Sequence, residues 1–143
     1  MRLTKIQMEE AVVLFEEDIG HSGNDYTQKI LAASDLRHIE VAELEQVILD
    51  GLNNGLYTNE ETRISAYWAL SKRYNQELIP AFKKWLKTEI DLKDHNAVYQ
   101  LLIALDNLEE PVFNADRKGG SGAHETELNF RDGRDYLEKY GIS

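Results

Sequence analysis

The sequence predicts an all-α fold, and three observations carry that expectation. Apolar residues recur three or four positions apart along successive stretches of the 143-residue chain, the spacing that lines one face of a helix. Residues that start and stop helices bracket those stretches. Nowhere does a run alternate apolar and polar residues with the period of two that a half-buried strand requires. The expected arrangement is a short α-solenoid of about seven helices with a C-terminal docking helix, all in one domain, 1–143.

The first helix is expected from about Thr4 to Asp18, with Ile6, Val13, Leu14 and Phe15 apolar and Gly20 beyond its end. "GHSGND" reads as a loop, and a short helix follows over about 26–34. The third helix, about 40–53, carries Val41, Leu44, Val47, Ile48 and Leu52 at helical spacing. Asn54-Gly55 stops it, because glycine accepts the left-handed backbone that closes a helix. Thr58 and Glu61 have the spacing of a capping box and open a fourth helix, 59–74. The fifth, 76–89, puts Leu78, Ile79, Phe82, Trp85 and Leu86 on one face, with Pro80 near its start, where proline is tolerated. Asp94 is the expected cap of the sixth, 94–108, which Pro111 stops. Residues 114–127 hold three glycines without periodicity and are expected to be a flexible loop. A last short helix has Asn129 as its cap, Asp132 favouring its first turn and Gly141 at its end. Phe130, Leu137 and Tyr140 are expected to dock it.

The fourth helix, "TRISAYWALSKRY", is apolar on more than one side. A 34-residue recurrence explains this: Leu44, Ile48 and Leu52 align with Leu78, Phe82 and Leu86, and Ile30 with Ile64. Ala69-Leu70 and Ala104-Leu105 lie 35 apart. The pattern predicts stacked helix pairs, 26–34 with 40–53 and 59–74 with 76–89, and a third pair opening at 94–108. A middle helix of such a stack touches its partner and the neighbouring repeats. Ala66 and Ala69 allow close approach, and Tyr67 and Trp68 are expected to fill the wider gap.

Across about 26–110 the chain resembles HEAT repeats. Arg63, Ala66, Ala69 and Leu70 match the first helix of that pattern, and Leu78, Ile79 and Leu86 match the Leu-rich second. In the first pair Ser34-Asp35 stands where the pattern has Ala-Leu, so that pair is expected to be shortened or bent. "YQLLIALDNLEEPVFN" and the tail "NFRDGRDYLEKYGIS" are similar to small bacterial HEAT-like immunity proteins of polymorphic-toxin and contact-dependent-inhibition systems. The resemblance implies neutralisation of a cognate toxin domain by binding.

Composition narrows the classes. Net charge is −10, falling as −4 over residues 1–25, −3 over 26–56, +1 over 57–92, −3 over 93–113 and −1 beyond. Phosphate contacts need clustered Lys and Arg, so direct nucleic-acid binding is not expected. The acidity serves solubility or meets a basic partner, whose complementary field speeds encounter. Cysteine is absent, which removes disulfides, thiolate metal sites and a cysteine nucleophile and fits a cytoplasmic protein. No apolar run approaches the ~20 residues of a membrane span, and the N-terminus lacks a signal-peptide pattern.

No catalytic constellation emerges, so the expectation is no enzyme, no cofactor and no metal. His21, His38, His95 and His124 are scattered and form no helical ligand pair. "GGSGAH" has Ala123 where a nucleophile elbow needs glycine, and no strand precedes it. "RKGGSGAH" is no phosphate loop either, since its basic residues precede the glycines. The paired carboxylates sit on polar faces or helix ends, where acid/base work has no environment to part their pKa values. Lys83, Lys84 and Lys87 make only a small basic ridge, with Trp85 turned to the core.

What remains is a binding surface. The candidate residues are Glu16, Glu17 and Asp18 on the first helix, Glu43, Gln46 and Asp50 off the apolar stripe of the third, and Glu89, Asp91 and Asp94 extending an acidic strip. A toxin nuclease has a basic site, which such a surface would occupy or cover. The other classes are a general interaction adaptor and, third, an accessory subunit of an enzyme. A monomer is expected.

Overall fold

A computed structural model describes residues 1–21, 24–117 and 122–141. Among these the chain forms seven α-helices and no strand, as the periodicity predicts. It divides into two compact units, Met1–Arg73 and Tyr74–Ser143.

The first unit holds α1 (Lys5–Asp18), α2 (Asp25–Ala33), a 3-10 turn (Asp35–His38), α3 (Val41–Asn53) and α4 (Glu60–Ser71). α1 starts one residue past the expected Thr4, which instead caps it: its hydroxyl accepts the Gln7 N–H at 3.1 Å, and the Gln7 side chain accepts the Thr4 N–H at 2.9 Å. α2 is only nine residues long. It stops where Ser34 turns its hydroxyl to the Leu36 N–H, 3.1 Å away, and also donates to Glu10. The shortness of α2 is thus a local competition, a serine offering the backbone a partner outside the helix. Gly55 takes a φ of +69° just past α3, as its stop role requires.

The start of α4 differs from expectation by one residue. Asn59, not Thr58, is the cap, and its side chain accepts the Thr62 N–H at 3.2 Å. The Thr58 carbonyl instead accepts from Arg63. Asn caps at least as well as Thr, so the adjacent pair offered two starts and the stronger was taken.

α4 packs against both α1 and α3 within this unit, which explains its two apolar sides. Ser65, Ala66, Tyr67, Ala69, Leu70 and Ser71 are buried on it, with Met8, Ala11, Val12 and Phe15 buried on α1. Fully burying a side chain such as Phe15 contributes about 1.5–3 kcal/mol. Trp68 does not fill a gap as expected; it is 39% exposed. Between α3 and α4, Tyr57 is buried and its hydroxyl accepts the Leu3 N–H at 3.2 Å. Its ring lies over Gly51 so closely that a Cβ there would stand 2.5 Å from it.

The second unit holds a 3-10 turn (Gln76–Leu78), α5 (Ile79–Asp91), α6 (His95–Asn107) and α7 (Thr126–Tyr140), and each of these α-helices packs on the other two. Pro80 sits in the first turn of α5, and Asp94 caps α6 by accepting the Ala97 N–H at 3.2 Å. Phe82 and Trp85 meet edge to face, both in the core.

α7 departs most from expectation. It starts at Thr126, and Asn129 and Asp132 are interior, buried residues instead of a cap and a solvated first-turn acid. Its buried face is Asn129, Asp132, Gly133 and Tyr136, while Phe130 and Leu137 are only half-buried and Tyr140 is 47% exposed. The reason is Arg117, whose side chain pairs with Asp132 and bonds Asn129, making a polar face the inward one. Of the loop expected over 114–127, residues 118–121 lie outside the described residues.

Candidate partner-binding surface

The last turn of α1 is locally costly. A helix C-terminus carries partial negative charge, and carboxylates there are unfavourable by about 0.3–1 kcal/mol each. α1 ends on Glu16, Glu17 and Asp18 with no basic residue in that turn. Glu16 is half-buried and Glu17 and Asp18 are exposed. Rules of local stability are most often broken at functional positions.

One long-range group answers part of this charge. Arg73, just beyond α4, donates to Asp18 Oδ2 at 3.1 Å and to Glu45 Oε2 at 2.9 Å. Its guanidinium also stacks over the Phe15 ring, 5.3 Å from the centroid. Arg73 therefore fastens α1, α3 and the end of α4 together. Neither it nor Glu45 stood out in the sequence, because partners 28 and 55 residues apart leave no spacing signal. Glu17 has no ion pair among the described residues.

Beside this turn lies a groove of about 390 Å³. Leu14, Leu31, Ile39, Val41 and Leu44 give it apolar walls, and Glu17, Asp18 and Arg37 give it charge. On α3, Glu43, Gln46 and Asp50 are exposed, and Gln46 donates to Asp50 at 2.7 Å. The candidates Glu16, Glu17, Asp18, Glu43, Gln46 and Asp50 thus all belong to the first unit.

The remaining three belong to the second unit and do not make an acidic strip. Glu89 is 1% exposed, so it is removed from any docking surface. It lies on the same helical stripe as Leu86 and Ile90, and the stripe, not the charge, decides its burial. Asp91 is exposed but pairs with Lys87 at 3.2 Å, and Asp94 is spent on capping α6. Lys83 donates to the Tyr140 carbonyl at 2.6 Å.

The second unit contains a charge network that the sequence did not disclose. Arg117, with 3% of its side chain exposed, donates to Asp132 at 2.7 Å, Asn129 at 3.0 Å and Glu125 at 3.3 Å. Arg131 bridges Asp132 and Asp116. The Arg131 hydrogen bonds hold the Asp116 carboxyl below its ordinary range. The Gly122 N–H, with Arg117, does the same for Glu125. Burial, then its bond to Glu110, raises the Tyr136 phenol well above its usual value. The two arginines and their carboxylates are tied to each other and line no common cleft, so they read as structural ion pairs, and the Tyr136–Glu110 hydrogen bond stands apart from them. Among the described residues no three His, Asp or Glu side chains gather as metal ligands would. No helix there is long and apolar enough to cross a membrane.

Compared with models of known families, with curated proteins and with solved structures, the chain matches none.

Proposed function

We propose that this protein is an immunity protein: it binds a cognate bacterial toxin domain, basic and of nuclease type, and neutralises it by occupying or covering its active site. It acts by binding and not by turnover, in the cytoplasm, as a HEAT-like stack of helix pairs. The observation that supports this most is the end of α1, where Glu16, Glu17 and Asp18 crowd a helix terminus that disfavours them. The first unit as a whole carries seven basic and thirteen acidic residues. A basic partner turns that unfavourable local charge into attraction and a faster encounter.

The test uses the purified full chain and the C-terminal domain of any large protein encoded next to it, titrated by calorimetry at rising salt. The expected result is nanomolar binding that weakens with salt, with loss of the domain's toxicity. A toxic neighbouring domain that the chain neither binds nor silences removes the immunity reading.

A further inference from the structure

The groove beside α1 is small, at the lower end of the ~300–1,000 Å³ typical of binding pockets. That size suits a few side chains and not a docked helix. Its lining is about as polar as it is apolar: Leu14, Leu31, Ile39, Val41 and Leu44 face Glu17, Asp18, Gln28 and Arg37. A long basic side chain matches both features, since lysine and arginine lay their methylene stems on apolar surface and keep the charged head at a polar edge.

We infer that this groove seats one arginine or lysine of the partner protein, flanked by an apolar residue. The inference rests on the partner reading above. The stem lies along Leu14, Leu31 and Val41, and the cationic head reaches Glu17 and Asp18. Both acceptors are open to it: Glu17 has no ion pair among the described residues, and Asp18 gives only Oδ2 to Arg73. Arg73 presets the Asp18 carboxylate before any partner arrives. Arg37 in the same groove, also without an ion pair among the described residues, offers a donor to a carbonyl of the bound segment.

The probe is the capped tripeptide Leu-Arg-Leu, titrated into the isotope-labelled full chain and followed by NMR, with Leu-Gln-Leu as the neutral control. Shifts are expected to concentrate on residues 14–18, 28–32 and 37–44, and to be far weaker with the control. Glu17→Lys is expected to weaken the peptide about tenfold. Ala32→Trp, which fills the groove from an exposed helix position and leaves the charge alone, is expected to do the same. Circular dichroism checks that both variants stay folded. No shifts at millimolar peptide, or shifts that Ala32→Trp leaves untouched, overturn the inference. The same variants are then titrated with the neighbouring domain. Wild-type binding that both variants retain in full overturns the groove alone. Absent wild-type binding overturns the partner reading, and the peptide titration still decides the groove.

Discussion

Each unit is fastened by an arginine stacked on a phenylalanine, and the two fastenings differ in kind. Arg73 draws together residues far apart in sequence, Asp18 and Glu45, and its side chain stays 16% exposed. Arg117 binds Glu125, Asn129 and Asp132, all within 15 residues, and is 3% exposed with Asp132 at 0%. Both guanidiniums stand 5.3 Å from their rings. The difference teaches where a charge pair matters for stability. A fully desolvated pair cannot lose one member cheaply, because the survivor has no water to turn to. The Arg73 clamp is closed at Glu45 and open only at Asp18, and the open end is the part with capacity left for a partner.

The largest effect should therefore come from Arg117→Met, which takes one of its two arginines from the fully buried Asp132, leaving only Arg131, and removes the partner of Asn129 and Glu125 as well. It is expected to destabilise the protein by about 3–5 kcal/mol in chemical denaturation. Adding Asp132→Leu removes that half-paired buried charge and leaves Arg131 its bonds to Asp116, so the double variant should be more stable than the single one. If it is not, Arg117 acts mainly through packing. Arg73→Met takes an arginine from Glu45, which is buried, and from Asp18, which is half-exposed and keeps water as a partner, so about 1–3 kcal/mol is expected. A loss equal to that of Arg117→Met would erase the contrast between the units.

Smaller effects separate the units by pH. The Tyr136 phenol donates to Glu110 at 2.6 Å, and its folded value lies above the ordinary 10.0. Its contribution is complete below pH 10 and is lost as pH rises beyond that. Tyr136→Phe should cost about 1 kcal/mol at neutral pH and flatten this alkaline decline, measured as Tm against pH. Smallest is the acid response. Asp116 and Glu125 are held below their ordinary values of 3.8 and 4.5, so their contribution is present above those values and fades as pH falls below them. Arg117→Met should blunt the Glu125 share of that fall.

The parts legible in the sequence were those decided by neighbours along the chain. Asp94 was readable as a cap, and Thr4 as a helix start, because a cap's partner lies three residues on. Glu89 was readable too, since its stripe was set by Phe82, Trp85 and Leu86, but its charge was given more weight than its phase. Asn129 and Asp132 were not readable. Each has the chemistry of a helix start, and only Arg117, brought in by the preceding loop, makes them interior. At the candidate site, the carboxylates of α1 and α3 were visible as unopposed charge. The groove and the Arg73 clamp were not, because the first exists only once α1, α2 and α3 converge and the second only once the end of α4 meets α1 and α3.

The packing of α1 on α4 also has a consequence for synthesis. Leu3 waits for the Tyr57 hydroxyl, Phe15 and Asp18 wait for Arg73, and Arg73 is the last residue of its unit. At roughly 5–20 residues per second, α1 leaves the ribosome seconds before the helix that covers it. During that interval Met8, Val12 and Phe15 have no lasting cover. Within this unit α1 is therefore the helix that waits longest for its cover, with an acidic run at its end.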